Sequence, residues 1–202
     1  MTDFSPNIRL RDEFYRKGIH LASLWIPIGY IFLPGKTILA PLCLVLTAAV
    51  IVETLRTFYA PFERWFERIL GSLLRPRERR NVTGATTMLV SAVLSIVFFE
   101  KWIAVYVILL MLVSDALGAI VGRLIGRHLY KKGRTVEGSA AFAVSGFMLI
   151  WIVPDVRIGI ALAGLFTALI LETGIIKLDD NIAIPIGAGM VMEILYWTGR
   201  AG

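Results

Sequence analysis

Long apolar runs alternate with short basic connections along this chain, and seven runs stand out, at 19–33, 37–52, 82–99, 102–121, 138–153, 156–171 and 182–197. The pattern predicts an all-α transmembrane bundle, one integral-membrane domain over residues 1–202, with each run a helix crossing the bilayer. Several runs fall short of the roughly 20 residues that a hydrocarbon core of about 30 Å demands. Their helices must therefore extend into flanking polar residues, or the bundle must thin the bilayer.

The long connection between the second and third runs carries a different period. After Pro61, which suits a helix start, Phe62, Trp65, Phe66, Ile69, Leu70 and Leu73 recur at three- and four-residue steps, with Glu63, Arg64, Glu67 and Arg68 opposite. This predicts an amphipathic helix in the membrane interface, its aromatic face in lipid and its arginines among headgroups. Its expected role is a topological anchor, with a gate for a lipid substrate as the alternative.

Composition agrees with a membrane protein, since 57% of residues are hydrophobic and 18% charged. Charge then orients it. Of 21 basic residues, all but Lys36, Lys101, Arg157 and Arg200 fall in the N-terminal segment or in connections that share one side. The positive-inside rule assigns that side to the cytoplasm, placing the N-terminus inside and the C-terminus outside. The net charge of +6 lies in these connections, where it anchors topology and attracts headgroups or phosphates, so nucleic acid is not the expected partner. The single Cys43 cannot form an intramolecular disulfide, and the first run, with Pro27 and Pro34 and no small-x-small site after it, does not read as a cleavable signal.

Ionisable residues near membrane spans are costly, and here they share a side. His20 begins the first run, Glu53 follows the second, Asp115 lies in the cytoplasmic half of the fourth and Glu137 precedes the fifth. Glu172 follows the sixth, and Asp179, Asp180 and Asn181 introduce the seventh. Glu53 with Arg56, three residues on, reads equally as a local ion pair. Asp115 sits among Met111, Leu112, Val113 and Ala116 with no basic residue before Arg123, so a carboxylate there needs a proton or a cation. Glu193, deep in the seventh run, has no partner that the sequence identifies.

The stretch 114–141, SDALGAIVGRLIGRHLYKKGRTVEGSAA, holds the densest chemistry. Gly118, Gly122 and Gly126 stand four apart on one helix face, a spacing that serves close helix packing or close approach of a ligand. Lys131, Lys132 and Arg134 form a basic turn, and Thr135, Glu137, Gly138 and Ser139 lead into the fifth run. Amides at that helix start, at Gly138, Ser139 and Ala140, can cradle an anion. Acid, glycine line, basic turn and helix start together read as a metal-phosphate site. The GRTVEGS of 133–139 is not a Walker A loop, because Ser139 stands where the lysine belongs and no strand precedes it. One cysteine and two separated histidines exclude zinc ligation and a nucleophilic triad, which leaves hard oxygen ligands suited to magnesium with phosphates. Asp179, Asp180 and Asn181 add three oxygen-bearing side chains in a row; singly each reads as an N-cap, together as metal ligands.

At these residues the chain resembles the CTP-dependent lipid-alcohol kinases, the family of phytol kinase, dolichol kinase and the CTP-using diacylglycerol kinase. The resemblance rests on Asp115-Ala116, Gly122 and Gly126, the basic turn, then Thr135, Glu137, Gly138 and Ser139. Arg16, Lys17 and His20, Glu53 with Arg56, and Glu172 with the 179–185 segment match in order. It implies transfer of the γ-phosphoryl group of CTP to the hydroxyl of a membrane-dissolved alcohol, with a divalent cation, at the cytoplasmic face. Asp115 with one of Asp179, Asp180 and Asn181 is then expected to hold magnesium, with Glu137 orienting a cation or completing that shell. Lys131, Lys132 and Arg134 are expected to bind the triphosphate with the Gly138 and Ser139 amides, and Asp179 or Asp180 to accept the hydroxyl proton.

At 202 residues the chain sits nearer the short phytol-kinase-like members than the dolichol kinases, which favours phytol, geranylgeraniol or farnesol, with diacylglycerol open. Two rivals remain. A CTP:phosphatidate cytidylyltransferase would attack the α-phosphorus instead, but its Asp-rich signature with a Pro-Gly-His run is absent. A small transporter would carry an internal repeat and acids through the membrane depth, and neither is found. The glycine line also suits a homodimer.

Overall fold

The computed structural model describes residues 10–74, 78, 81–131, 133–175 and 178–200. Lys132, expected at the phosphates, lies outside the described residues, as do Arg9, Arg75, Arg77, Arg79, Arg80 and Lys177 of the basic clusters.

The fold is helical. In chain order it runs α1 (Leu10–Ala22), α2 (Trp25–Phe32), α3 (Leu39–Phe58), α4 (Ala60–Leu70), α5 (Gly84–Phe98) and α6 (Lys101–Leu109). A π-helical turn (Leu110–Ser114) then joins α6 to α7 (Asp115–Leu124). A small antiparallel hairpin comes next, β1 (Leu129–Lys131) with β2 (Arg134–Thr135), and after it α8 (Val136–Ile152), α9 (Ile158–Glu172) and α10 (Asp180–Thr198). The hairpin is a two-stranded addition to an otherwise helical fold, as the all-α expectation had it. It is the form taken by the basic turn, reversed at Gly133, whose φ of +77° is open to glycine at little cost.

The rod Lys101–Leu124 is the hub of the bundle. Residues from Ile103 to Leu112 are buried, and α5, α8, α9 and α10 pack round it. The π turn places one extra residue in the rod just before Asp115, which rotates the helix beyond it by roughly 100°. That rotation separates two jobs on one helix: Asp115 faces α1, while Gly118 and Gly122 face α8.

The first apolar run is not one helix. Pro27 has no N–H to offer the Ser23 carbonyl, and the chain breaks between α1 and α2 through tight turns, with Ser23 N–H donating to His20 O and Leu24 N–H to Leu21 O. The break frees α1 to run back through Lys17 and Arg16 as a helix of its own.

Leu39–Phe58 and Lys101–Leu124 are long and apolar enough to cross a membrane; Gly84–Phe98, Val136–Ile152 and Ile158–Glu172 are apolar but shorter. Large hydrophobic side chains carpet the outside, among them Leu44, Ile51, Trp151 and Phe166. Such a surface belongs against lipid rather than water. At one end it closes with basic and aromatic residues: Lys101 lies 5.7 Å from the Tyr30 ring and 5.2 Å from that of Trp102, and Arg200 lies 4.8 Å from the Tyr196 ring. Glu193 belongs to this end. It accepts the Glu100 N–H (2.9 Å) at the start of α6 and the Trp197 indole N–H (2.8 Å), partners that lie outside its local sequence or one turn on. α10 carries the chain from there to the opposite end, about 27 Å at 1.5 Å per residue, where the acids gather.

Candidate functional site

At that opposite end a cavity of about 140 Å³ is walled by α1, by α4 and the turn after it, by the starts of α5 and α10, and by Asp115 of α7. It brings together Asp115, Asp179, Asp180, Asn181 and His20 from the sequence-derived set, and adds Arg16 and Lys17. Lys17, only 2% exposed, donates to Asp115 Oδ2. The expectation that Asp115 lacks a basic partner is therefore corrected: the partner lies 98 residues upstream. In so dry a place each charge offsets the cost of burying the other.

The start of α10 is fastened to the start of α5. Asp179 caps α10 by accepting the Asn181 N–H (3.0 Å), and Thr87 Oγ1 lies 3.5 Å from its Oδ1. Asn181 Nδ2 donates to Gly84 O (3.1 Å). A side chain at Gly84 would stand 3.0 Å from Glu78 Oε1 and 3.1 Å from Asn181 Nδ2, so glycine lets these side chains approach the start of α5 closely. Thr83, Gly84, Ala85 and Glu78 line the cavity and escaped the reading of the sequence. The Thr-Gly pair just before an apolar run is the signal that marks this helix start.

Beside the cavity sits a second polar cluster. Arg134 donates to Glu172 (2.7 Å) and to Asp180 (2.9 Å), joining the hairpin to the end of α9 and the start of α10. Burial works against the Arg134 charge, but Asp180 and Glu172 outweigh it and leave its pKa raised. Ser139 Oγ donates to Glu172 (2.9 Å) and shares a 2.8 Å hydrogen bond with the Tyr130 hydroxyl, while Lys131 Nζ donates to Gly174 O (2.6 Å). Arg134, Glu172, Ser139 and Lys131 all lie outside the cavity lining. Arg134 reaches it through Asp180.

The glycines of the central motif are committed to packing. A Cβ on Gly138 would stand 2.8 Å from Gly118 O and 3.2 Å from Gly122 Cα; one on Gly122 would stand 2.9 Å from Thr135 Oγ1, and one on Gly126 2.7 Å from the same atom. Thr135 caps α8 by accepting the Gly138 N–H (3.1 Å). Of the helix start expected to cradle an anion, Gly138 is thus buried against α7 with its N–H capped, and Gly122, Gly126, Thr135 and Gly138 set the distance between the two helices.

Glu53 and Arg56 also serve position. Arg56, 6% exposed, donates to Glu53 (2.7 Å), Glu78 O (2.9 Å) and Asn81 O (2.7 Å), and its guanidinium lies 5.8 Å from the Phe66 ring. Glu53 accepts the Thr83 N–H (2.8 Å). Together they tie α3, α4 and the start of α5 into one frame around the cavity.

Glu137 stands apart, partly exposed, with its Oε1 2.6 Å from Nδ1 of the exposed His128. Hydrogen bonds from its own backbone N–H and from His128 hold its carboxyl down from 4.5 to about 2. With a lowered pKa, the stability it adds is full above its ordinary pKa and is lost as pH falls through the folded one. The stability difference between wild type and Glu137→Gln is expected to be flat above about pH 5 and to close toward pH 2; unfolding midpoints across that range check it.

Among the described residues no three His, Cys, Asp or Glu side chains are grouped to hold a metal. Asp180 is engaged by Arg134, and the Asn181 amide by Gly84. Magnesium that arrives on a nucleotide, however, needs only one or two protein carboxylates, the phosphates and water supplying the rest. Asp115 with Asp179 or Asp180 fits that smaller demand.

Three proteins align with the chain at a distance. An uncharacterized protein of Rickettsia prowazekii is 26% identical over 185 residues, covering 86% of this chain and 90% of that one. CTP-dependent diacylglycerol kinase 1 of Saccharomyces cerevisiae is 26% identical over 148 residues, covering 70% of this chain and 50% of the yeast protein. The likeness is to a CTP-dependent lipid kinase. An uncharacterized protein of Methanocaldococcus jannaschii is 25% identical over 177 residues, covering 86% of this chain and 88% of its own. No protein-family model and no solved structure matches.

Proposed function

We propose that the chain is a multi-pass membrane kinase that transfers the γ-phosphoryl group of CTP to the hydroxyl of a lipid alcohol at the cytoplasmic face. The observation that carries this reading is the cavity itself, where Asp115, Asp179 and Asp180 meet Arg16 and Lys17 beside an apolar wall. Similarity to the yeast kinase supports the donor and the lipid class. The basic clusters and the aromatic belt at the other end support the topology, with the N-terminus and the cavity inside.

In this reading the alcohol oxygen attacks the γ-phosphorus, the bond from that phosphorus to the bridging β-γ oxygen breaks, and CDP leaves. Asp179 or Asp180, which both line the cavity, takes the hydroxyl proton. Lys17 and Arg16 face the charge on the transferred group, and Asp115 fixes Lys17 for that work. Magnesium brought by the nucleotide would be held by Asp115 with Asp179 or Asp180 and would supply neutralisation of phosphate charge. Arg134, Glu172 and Ser139 act through Asp180 as positioning residues, and Lys131 and Lys132 meet the outer part of the nucleotide.

The preferred substrate is a prenyl alcohol such as phytol, geranylgeraniol or farnesol. The yeast relative favours diacylglycerol as the second reading. Turnover with magnesium, CTP and a panel of prenyl alcohols, diacylglycerol and phosphatidate tests the proposal; CDP with one phosphorylated alcohol is expected, and retention of CTP with every alcohol defeats it.

A further inference from the structure

The cavity is two-sided. Its charged side is built from Arg16, Lys17, Asp115 and the start of α10. Its other side is apolar, formed by Phe66, Leu70, Leu73 and Leu74 of α4 and its following turn, with Ile19 of α1 across from them. Phe66 and Leu74 are each 9% exposed and form a closed wall. Ile19 and Leu70 differ: they line the cavity and are 46% and 36% exposed. They are the most exposed of the large apolar side chains in the lining.

Outside that point the surface continues apolar through Tyr15, Trp65 and Ile69, all more than half exposed. α1 packs on α7 and α4 packs on α3, so the two helices face each other across the cavity. Ala85, which lines the cavity with Thr83 and Asp179, is exposed as well. Exposed lining residues thus occur both on the apolar wall and among the polar groups at the start of α5.

We infer that the hydrocarbon chain of the alcohol leaves the site between α1 and α4, past Ile19 and Leu70, while the nucleotide approaches from the Ala85 side. This rests on the kinase reading and names the route by which its lipid substrate is held. α4 then presents apolar residues in two directions: Trp65 and Ile69 to the bilayer, Phe66 and Leu74 to the first carbons of the substrate. Its expected role as an anchor becomes half of its work. Arg56, bonded to Glu78 O and Asn81 O and set against the Phe66 ring, keeps the inner residues in place.

Leu70→Trp tests the route by enlarging the side chain at its proposed exit. With a long-chain alcohol, kcat/KM is expected to fall about tenfold or more through KM, while the KM for CTP holds. A short water-soluble alcohol, which has no chain to thread, is expected to react within about twofold of wild type. Equal losses for both alcohols, or no loss for either, would overturn the route. A second measurement does not depend on turnover. A long-chain alcohol carrying a diazirine near its hydroxyl, photolysed with the wild-type protein in bilayers, is expected to label peptides containing Ile19 or Leu70. Labelling confined to the outer face of α8 and α9, around Trp151 and Phe166, would overturn the route whether or not the protein proves to be a kinase.

Discussion

Asp115→Asn is expected to lower turnover by at least about 10³-fold and to destabilise the protein. The two effects have one cause and separate experimentally. Asparagine removes the charge but leaves Lys17, 2% exposed, beside a neutral amide. Breaking a buried pair on one side costs about 3–5 kcal/mol. Replacing both members, as Lys17→Met with Asp115→Leu, removes the uncompensated charge, and such exchanges are often neutral or stabilising. The double variant is therefore expected to recover the wild-type unfolding midpoint in detergent and to remain inactive. Recovered stability together with recovered turnover would take the pair out of the chemistry.

Gly138→Ala is expected to destabilise the bundle by forcing α7 and α8 apart. Its Cβ would stand 2.8 Å from Gly118 O and 3.1 Å from Thr135 Oγ1, and backbone cannot yield as a flexible side chain can. Helix propensity favours alanine by just under about 1 kcal/mol, while overpacking costs about 1–3 kcal/mol, so the clash wins. Separating α7 from α8 also moves Asp115, so activity falls with stability. Gly18→Ala in α1 is the control: nothing lies within 4 Å of its added methyl, and a small gain in stability is expected. Thermal unfolding of both variants in one detergent checks the pair; equal midpoints would show that the glycine seam does not set the helix distance.

What was legible in the sequence was local. The three- and four-residue spacing after Pro61 marks α4, and Asp179 before a helical run marks a cap, because each depends on neighbours within a turn or two. That the acids at 115 and 179–181 share an end is readable from the side on which each apolar run stops, and they line one cavity. What joins them was not legible. Lys17 and Asp115 are 98 residues apart, and nothing in the composition around Asp115 announces a lysine from α1. The glycine line alone reads as packing and, with the basic turn after it, as ligand approach; Gly138 opposite Gly118 favours packing. Arg134 reads as a phosphate ligand until Glu172 and Asp180 are seen on either side of it. The π turn before Asp115 has no sequence mark, yet it turns the carboxylate toward α1.

The central claim concerns which phosphorus is attacked, and labelled CTP tests it directly. The purified protein, in lipid with magnesium and the alcohol or diacylglycerol that it turns over, is given CTP labelled either at the γ- or at the α-phosphorus. Label from the γ-position in the lipid, with unlabelled CDP released, is the predicted result. Label from the α-position in the lipid, with pyrophosphate released, would contradict it and make the protein a cytidylyltransferase.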